Sequence, residues 1–164
     1  MPAITNKMVN SINDQIRAEL ESSYIYLSMS AYLEDQNLKG MAHWMRKQAG
    51  EEMEHAEKFM EYLYDRGARV VLEAIAKPAT EFDGPLGVFK EALKHEQYVS
   101  ERIYKMVDLA ASEKDHMTAS MLKWFVDEQV EEEANADEIV QKLEFLGTKS
   151  NSAIYLLDKE LGAR

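Results

Sequence analysis

The chain has no cysteine, only three prolines, few glycines and no cluster of positive charge. Without cysteine there is no disulfide and no thiolate ligand, so any metal must be held by oxygen and nitrogen. Pro2, Pro78 and Pro85 fall outside the long periodic stretches, and none of the seven glycines breaks one, so helices are free to run long. No apolar run approaches the ~18 residues of a membrane span. Met1–Met8 lacks the basic-then-apolar form of a signal peptide, and a cytoplasmic protein is expected. Basic residues number 19 against 30 acidic ones, for a net charge of −11. Phosphate backbones need a basic patch, so nucleic acid is excluded as a partner. An acidic surface attracts cations or simply keeps a protein soluble.

What is present is helix-forming: Glu, Ala, Leu, Lys and Met dominate. The periodicity predicts a helix from about Thr5, as N-cap, to Asp35, and a second from near Gly40 to Arg66, stopped by Gly67. Residues 68–85 hold Pro78, Asp83, Gly84 and Pro85 and show no helical period. Such a connection is long enough to travel the length of a bundle and leave the flanking helices parallel. A third helix is expected over Leu86–Ser112, with Lys114–Asp115 as a tight link, and a fourth to Leu146, closed by Gly147. Thr148–Asn151 reads as a hinge before a short helix, Ser152–Leu161, with Ile154, Leu157 and Leu161 apolar. The expected fold is all-α: one domain over 1–164, a four-helix bundle over 1–146 with one long crossover, and a tail with a short fifth helix over 147–164.

The apolar stripes carry the chemistry. They run Met8, Ile12, Ile16, Glu19, Ser23, Tyr26, Leu27, Leu33 on the first helix and Met41, Met45, Glu52, His55, Ala56, Phe59, Leu63 on the second. On the third they are Phe89, Leu93, Glu96, Val99, Ile103, Met106, and on the fourth Leu122, Phe125, Gln129, Glu132, Ala136, Ile139, Leu143. Each is interrupted by acids or amides near its middle, and mid-helix positions of a bundle share one level. Glu19, Glu52, Glu96 and Glu132 would repel one another there, and no Lys or Arg lies on any stripe. Two divalent cations balance four carboxylates. Glu52 and His55, three apart, point the same way. Carboxylate-rich, nitrogen-poor coordination suits iron or manganese; zinc also binds such ligands, but redox chemistry on bundles of this kind uses iron.

These residues resemble di-iron carboxylate bundles, which supply one Glu from each of two helices and a Glu-x-x-His from each of the others. Here the second such motif is Gln129-Val130-Glu131-Glu132. That alteration is similar to non-haem ferritins and less so to bacterioferritins or hydroxylating di-iron enzymes, which keep a second His. The likeness covers Glu19 through Tyr26, Met41-Ala42-His43-Trp44, Glu51–His55, Lys94–Gln97, Trp124, Glu128–Glu133 and Asp158–Leu161, so the chain is identified as resembling bacterial non-haem ferritins. The resemblance implies a ferroxidase: Fe(II) is oxidised with dioxygen or peroxide and stored as ferric mineral in a hollow homo-oligomeric shell of twenty-four chains. It makes Glu19, Glu52 and His55 the first iron's ligands, with Glu52 bridging, and gives the second iron Glu96 and Glu132 with Gln129 beside it. A third iron position falls on Glu51, Glu128 and Glu131, with Glu132 shared. Tyr26, beside the centre, and Trp124 become candidate electron donors.

Other features have plainer readings. Glu133 reads as a solvated charge. Glu51, Glu54, Glu57 and Glu61 form an acidic stripe that is either a wet face or the wall of a mineral cavity. Glu113-Lys114-Asp115-His116 repeats Glu-x-x-His but straddles a helix junction, ~25 Å along the helix from Glu96 at ~1.5 Å per residue. His43 and His95 read as surface or interface hydrogen-bonders. Met53 falls where bacterioferritins bind haem; a helical methionine is ordinarily packing, and haem is not expected. The acidic pair of the animal ferritin channel falls on Ala119 and Leu122. Tyr24, Ile25, Met29 and Tyr32 leave the first helix apolar nearly all round, as a subunit contact would. A rubrerythrin-like peroxidase would bring a Cys-rich module and the second His. An inactive shell subunit has no need of Glu52, His55 and Tyr26.

Overall fold

The computed structural model describes residues 3–147 and 151–164. Five helices follow in order, α1 (Asn6–Asp35), α2 (Lys39–Asp65), α3 (Gly84–Glu113), α4 (His116–Leu146) and α5 (Asn151–Leu161), and no described residue lies in a strand. The expected helices are all present, with ends within about two residues of their signals. Of the expected hinge, Thr148–Ser150 lie outside the described residues, and Asn151 already opens α5. No helix among the described residues is long and apolar enough to cross a membrane.

The ends are set by local chemistry. Thr5 caps α1 by accepting from the Met8 amide, and its own hydroxyl donates to Glu113 at 2.7 Å, tying the start of α1 to the end of α3. Gly67, at φ +69°, turns the chain out of α2 in a conformation that side chains resist. Asp115 accepts from the Thr118 amide at the head of α4 and also pairs with Arg66, at the C-cap of α2. The start of α2 has no cap from its own sequence. The Met41 amide donates instead to Asp158 of α5 at 2.8 Å, so the tail helix caps α2 from outside.

The long connection runs along α1. Asn13 bonds Arg69 and Val71, Ser28 bonds Ala79, and Tyr32 bonds Phe82, so residues 69–82 follow α1 from near its start to near its end. α3 then returns antiparallel to α1, as the pairs Tyr26–Glu96, Gln15–Arg102 and Thr5–Glu113 record. Because α1 and α2 form an antiparallel hairpin, with Ser23 on the Ala49 carbonyl and Ser30 on that of Ala42, α2 and α3 are parallel. This is the crossover expected from the sequence.

Two separate apolar cores fill the bundle. One gathers Met29, Leu33, Met41, Met45, Phe89, Ile139 and Leu143; the other holds Met8, Ile12, Ile16, Phe59, Ile103, Leu122 and Phe125. Between them lies a layer of buried polar side chains: Gln15, Glu19, Gln48, Glu52, His55, Glu96, Ser100, Gln129 and Glu132. Two stripe assignments need correction. Leu27 is 47% exposed, because the inward face of α1 passes through Tyr26 and Ser30 instead. Leu93 is half-buried at the edge of its core. Leu122 is fully buried in the core of its own bundle.

Candidate metal centre

The polar layer takes one acid from each long helix, at the level where the two apolar cores part. Ligand atoms of Glu19, Glu52 and His55 lie within 4.8 Å of one another, as do those of His55, Glu128 and Glu132. His55 is common to both groups: its Nδ1 is 3.4 Å from Glu52 and 4.0 Å from Glu19, and its Nε2 is 3.9 Å from Glu128. The i, i+3 spacing on α2 brings His55 and Glu52 together, and the antiparallel hairpin brings Glu19. Phe125 and Trp124 flank the imidazole edge-on, with ring centroids 6.0 and 5.5 Å away.

Across the layer, Glu96 accepts from the Tyr26 hydroxyl and, at 3.2 Å, from the Gln129 amide nitrogen. That nitrogen also meets the Glu96 carbonyl and the Ser100 hydroxyl, each at 3.2 Å. Tyr26 is buried, and burial together with the charges of Glu96 and Glu52 pushes its phenol well above its ordinary pKa. Trp124 is 39% exposed, with Lys58 Nζ 4.2 Å over its ring.

The electrostatics are those of an unbalanced site. Burial first, then the charges of Glu96 and Glu19, push the Glu52 carboxyl well above the carboxylate range. Burial also raises Glu96, to about 7, against the hydrogen bonds from Tyr26 and Gln129. Burial and the charge of Glu96 raise Glu132 to about 8. Among the described residues no Lys or Arg forms an ion pair with Glu19, Glu52, Glu96 or Glu132. Glu19 Oε2 and Glu52 Oε1 are buried without any hydrogen-bond partner among the described residues. An orphaned carboxylate oxygen in a protein interior costs on the order of 1–3 kcal/mol or more, and here the two belong to carboxylates beside one imidazole. A cation between them satisfies both.

Outside this layer lies a cleft of about 370 Å³ with His55 on its wall, lined by Glu51, Glu54, Glu57, Glu61, Glu128, Lys58 and Trp124. Of the third set, Glu128 is half-buried beside His55, and Glu51 is bound by Arg164 Nη2 at 2.6 Å. Glu131 is exposed and stands outside both convergent groups. Glu133, expected to be solvated, is half-buried and accepts from the Ser100 hydroxyl.

Other expectations change in detail. His95 is a half-buried hydrogen-bonder: its Nε2 lies 2.7 Å from Ser22 Oγ, its ring stands edge-on to Tyr26, and burial lowers its pKa to about 4. His43 sits at the surface, 3.0 Å from the Arg164 carbonyl. Met53 is exposed and packs in neither core of its own chain. Glu113 is engaged by Thr5 at the far end of the bundle, away from the layer. Sequence reasoning missed Gln15, Gln48 and Ser100. The signal for the two glutamines was available, since each stands four residues before an acid of the layer, on the same helix face.

Comparison with known proteins agrees with this arrangement. The pattern of the Ferritin-like domain matches residues 9–146. A bacterial non-heme ferritin of Bacteroides fragilis is 44% identical over 161 residues, covering 98% of this chain and 99% of the relative. The corresponding protein of Staphylococcus aureus is 38% identical, covering 98% and 96%. Among solved structures, an open pore ferritin from the hyperthermophilic archaeon Archaeoglobus fulgidus superposes with a TM-score of 0.97 at 46% identity, covering 99% of each chain. With its helix order, its carboxylate layer and these similarities over almost its whole length, the chain belongs to the ferritin family.

Proposed function

We propose that this chain is an iron-storage ferritin subunit with ferroxidase activity. Two Fe(II) ions bind as substrate in the polar layer, the first on Glu19, Glu52 and His55 with Glu52 bridging, the second on Glu96 and Glu132 with Gln129 beside it. Each ion loses one electron, and the pair reduces dioxygen to hydrogen peroxide, or hydrogen peroxide to water, with protons drawn from solvent. Negative charge around the ions favours the higher oxidation state. The Tyr26 hydroxyl holds Glu96, and we assign Tyr26 and Trp124 as electron donors, one electron each, which with the two from iron take dioxygen to water. Fe(III) then moves through Glu51, Glu128 and Glu131 to a mineral inside a shell of identical chains, twenty-four by family likeness, in the cytoplasm.

The observation that carries this reading is the pair of buried oxygens on Glu19 and Glu52 beside His55 that have no hydrogen-bond partner among the described residues, in a four-carboxylate layer with no Lys or Arg ion-pair partner among them. A purely structural bundle would fill that level with apolar side chains. Aerobic Fe(II) loading followed by size-exclusion chromatography tests it. A large shell that elutes with ferric iron is expected. A monomer, or a shell whose initial oxidation rate equals that of Fe(II) in buffer, overturns it.

A further inference from the structure

Two glutamines in the layer are held in the same way. Gln15 Nε2 donates to Glu19 Oε1 at 2.8 Å, while Gln15 Oε1 accepts from Arg102 Nε at 2.9 Å. Gln48 Nε2 donates to Glu132, while Gln48 Oε1 accepts from Arg164 Nη1 at 2.9 Å. Both glutamines are fully buried, and each touches a different acid of the layer. An amide offers a donor at one end and an acceptor at the other, and either end can point either way. A guanidinium has only donors, so it accepts no amide nitrogen as a partner. The arginine therefore turns the NH₂ toward the carboxylate and forbids the flipped amide, which would set oxygen against oxygen.

The two arrangements are anchored differently. Arg102 lies on α3 and is held by Asp14 of α1 at 2.6 Å, so the Glu19 side is fixed within the four-helix bundle. Arg164 lies beyond α5. It stacks 4.7 Å over Trp44 and binds Glu51 with its second nitrogen. α5 itself is seated by Leu157 and Leu161 and by the Asp158 cap on α2. The Glu132 side is thus fixed from outside the bundle, by the tail.

We propose that Gln15 and Gln48 are positioning residues, each oriented by its arginine, and that through Arg164 the tail of α5 sets the second metal position alone. The proposal rests on the two-ion reading above. Seating Arg164 aims a hydrogen bond at Glu132 and holds that carboxylate for a cation. It also occupies Glu51, one of the acids assigned to receive outgoing iron. Lifting Arg164 loosens Glu132 and frees Glu51 together, so one side chain couples occupancy of the second position to release toward the third.

Anaerobic titration of the assembled protein with Co(II), followed by calorimetry and visible absorption, tests this, with Glu132→Ala marking the step that belongs to the second position. Loss of a hydrogen bond to a metal ligand typically weakens binding ~10–100-fold. Gln48→Leu and Arg164→Ala should each weaken the marked step by about that factor, leaving the other step, its absorption band and the assembly of the metal-free shell unchanged. Gln15→Leu and Arg102→Ala should weaken the other step. Gln48→Leu/Arg164→Ala should be no worse than Gln48→Leu, because the arginine acts through the amide. Unchanged affinity in Arg164→Ala, equal loss at both steps, or additive losses in the double variant would overturn the proposal. Failure of the unmodified protein to bind two Co(II) per chain would overturn the two-ion reading instead.

Discussion

Replacing Gln129 with Glu tests whether the polar layer is organised around cations. The Gln129 amide nitrogen donates to Glu96 at 3.2 Å, and both side chains are buried. The substitution keeps the size and removes the donor, setting two carboxylates face to face. At an effective dielectric of ~20, unit charges at that separation repel by ~5 kcal/mol. The introduced carboxyl, once protonated, can still donate one hydrogen bond to Glu96, at a cost of ~1.36 kcal/mol for each pH unit above a reference pKa of ~4.3. Protonation therefore caps the loss at ~2 kcal/mol at pH 6 and ~5 kcal/mol at pH 8. For a chain of this size the melting temperature of the metal-free variant should fall by up to ~4–8 °C at pH 6 and up to ~10–20 °C at pH 8. Calorimetry in chelator, at matched protein concentration, measures both. Co(II) should reverse the loss, because a cation turns the repulsion into attraction. The same attraction should hold the diferric product longer, so repeated stoichiometric Fe(II) additions should be oxidised more slowly than by the unmodified protein. A variant that melts within a degree or two of the parent at pH 8, or loses equally at both pH values, would refute the reasoning.

Other outcomes follow from the same geometry. Glu96 and Glu132 bind protons more tightly folded than unfolded, so the metal-free protein should lose stability as pH rises from about 4.5 through about 8, and divalent cations should restore most at the alkaline end. Titration with Zn(II) at pH 6.5 should release protons, and calorimetry in two buffers of different ionisation enthalpy would detect it; no release would count against the raised carboxyls. His55→Ala should slow initial Fe(II) oxidation at least ~10-fold with the size-exclusion profile unchanged, and unaltered kinetics would remove His55 from the ligand set. Gly40→Ala would drive its Cβ into the Asp158 carbonyl group, so α5 must move. Limited proteolysis within α5 should then accelerate, and a protection pattern like the parent's would show that the backbone contact is dispensable. Asp115→Ala removes the α4 cap and leaves Arg66 buried without its carboxylate, for an expected loss of ~3–5 kcal/mol read from thermal melts.

The number, order and near-exact limits of the helices are written in the chain. Periodicity, Thr5, Gly67 and the Asp115 link are local signals, and a long helix obeys them with little help from its neighbours. The interruption of every stripe by acids at one level is equally local, because helical rise converts sequence position into height along the bundle. The names Glu19, Glu52, His55, Glu96, Gln129 and Glu132 were legible for that reason, and each is buried in the layer. Packing alone decides which partners these groups meet. Nothing local foretold that Tyr26 would reach Glu96, 70 residues away, or that Ser100 would take Glu133 out of solvent. Nor could periodicity show that the start of α2 borrows its cap from Asp158, since a helix end is satisfied by whichever acceptor the fold brings within reach. The two arginine-held glutamines are the strongest case. Gln15 and Gln48 stand one turn before Glu19 and Glu52, but Gln48 turns instead to Glu132 on α4. Its amide is oriented by Arg164, 116 residues away. A side chain's direction is set by the groups that surround it in space, and those are assembled only when the helices pack.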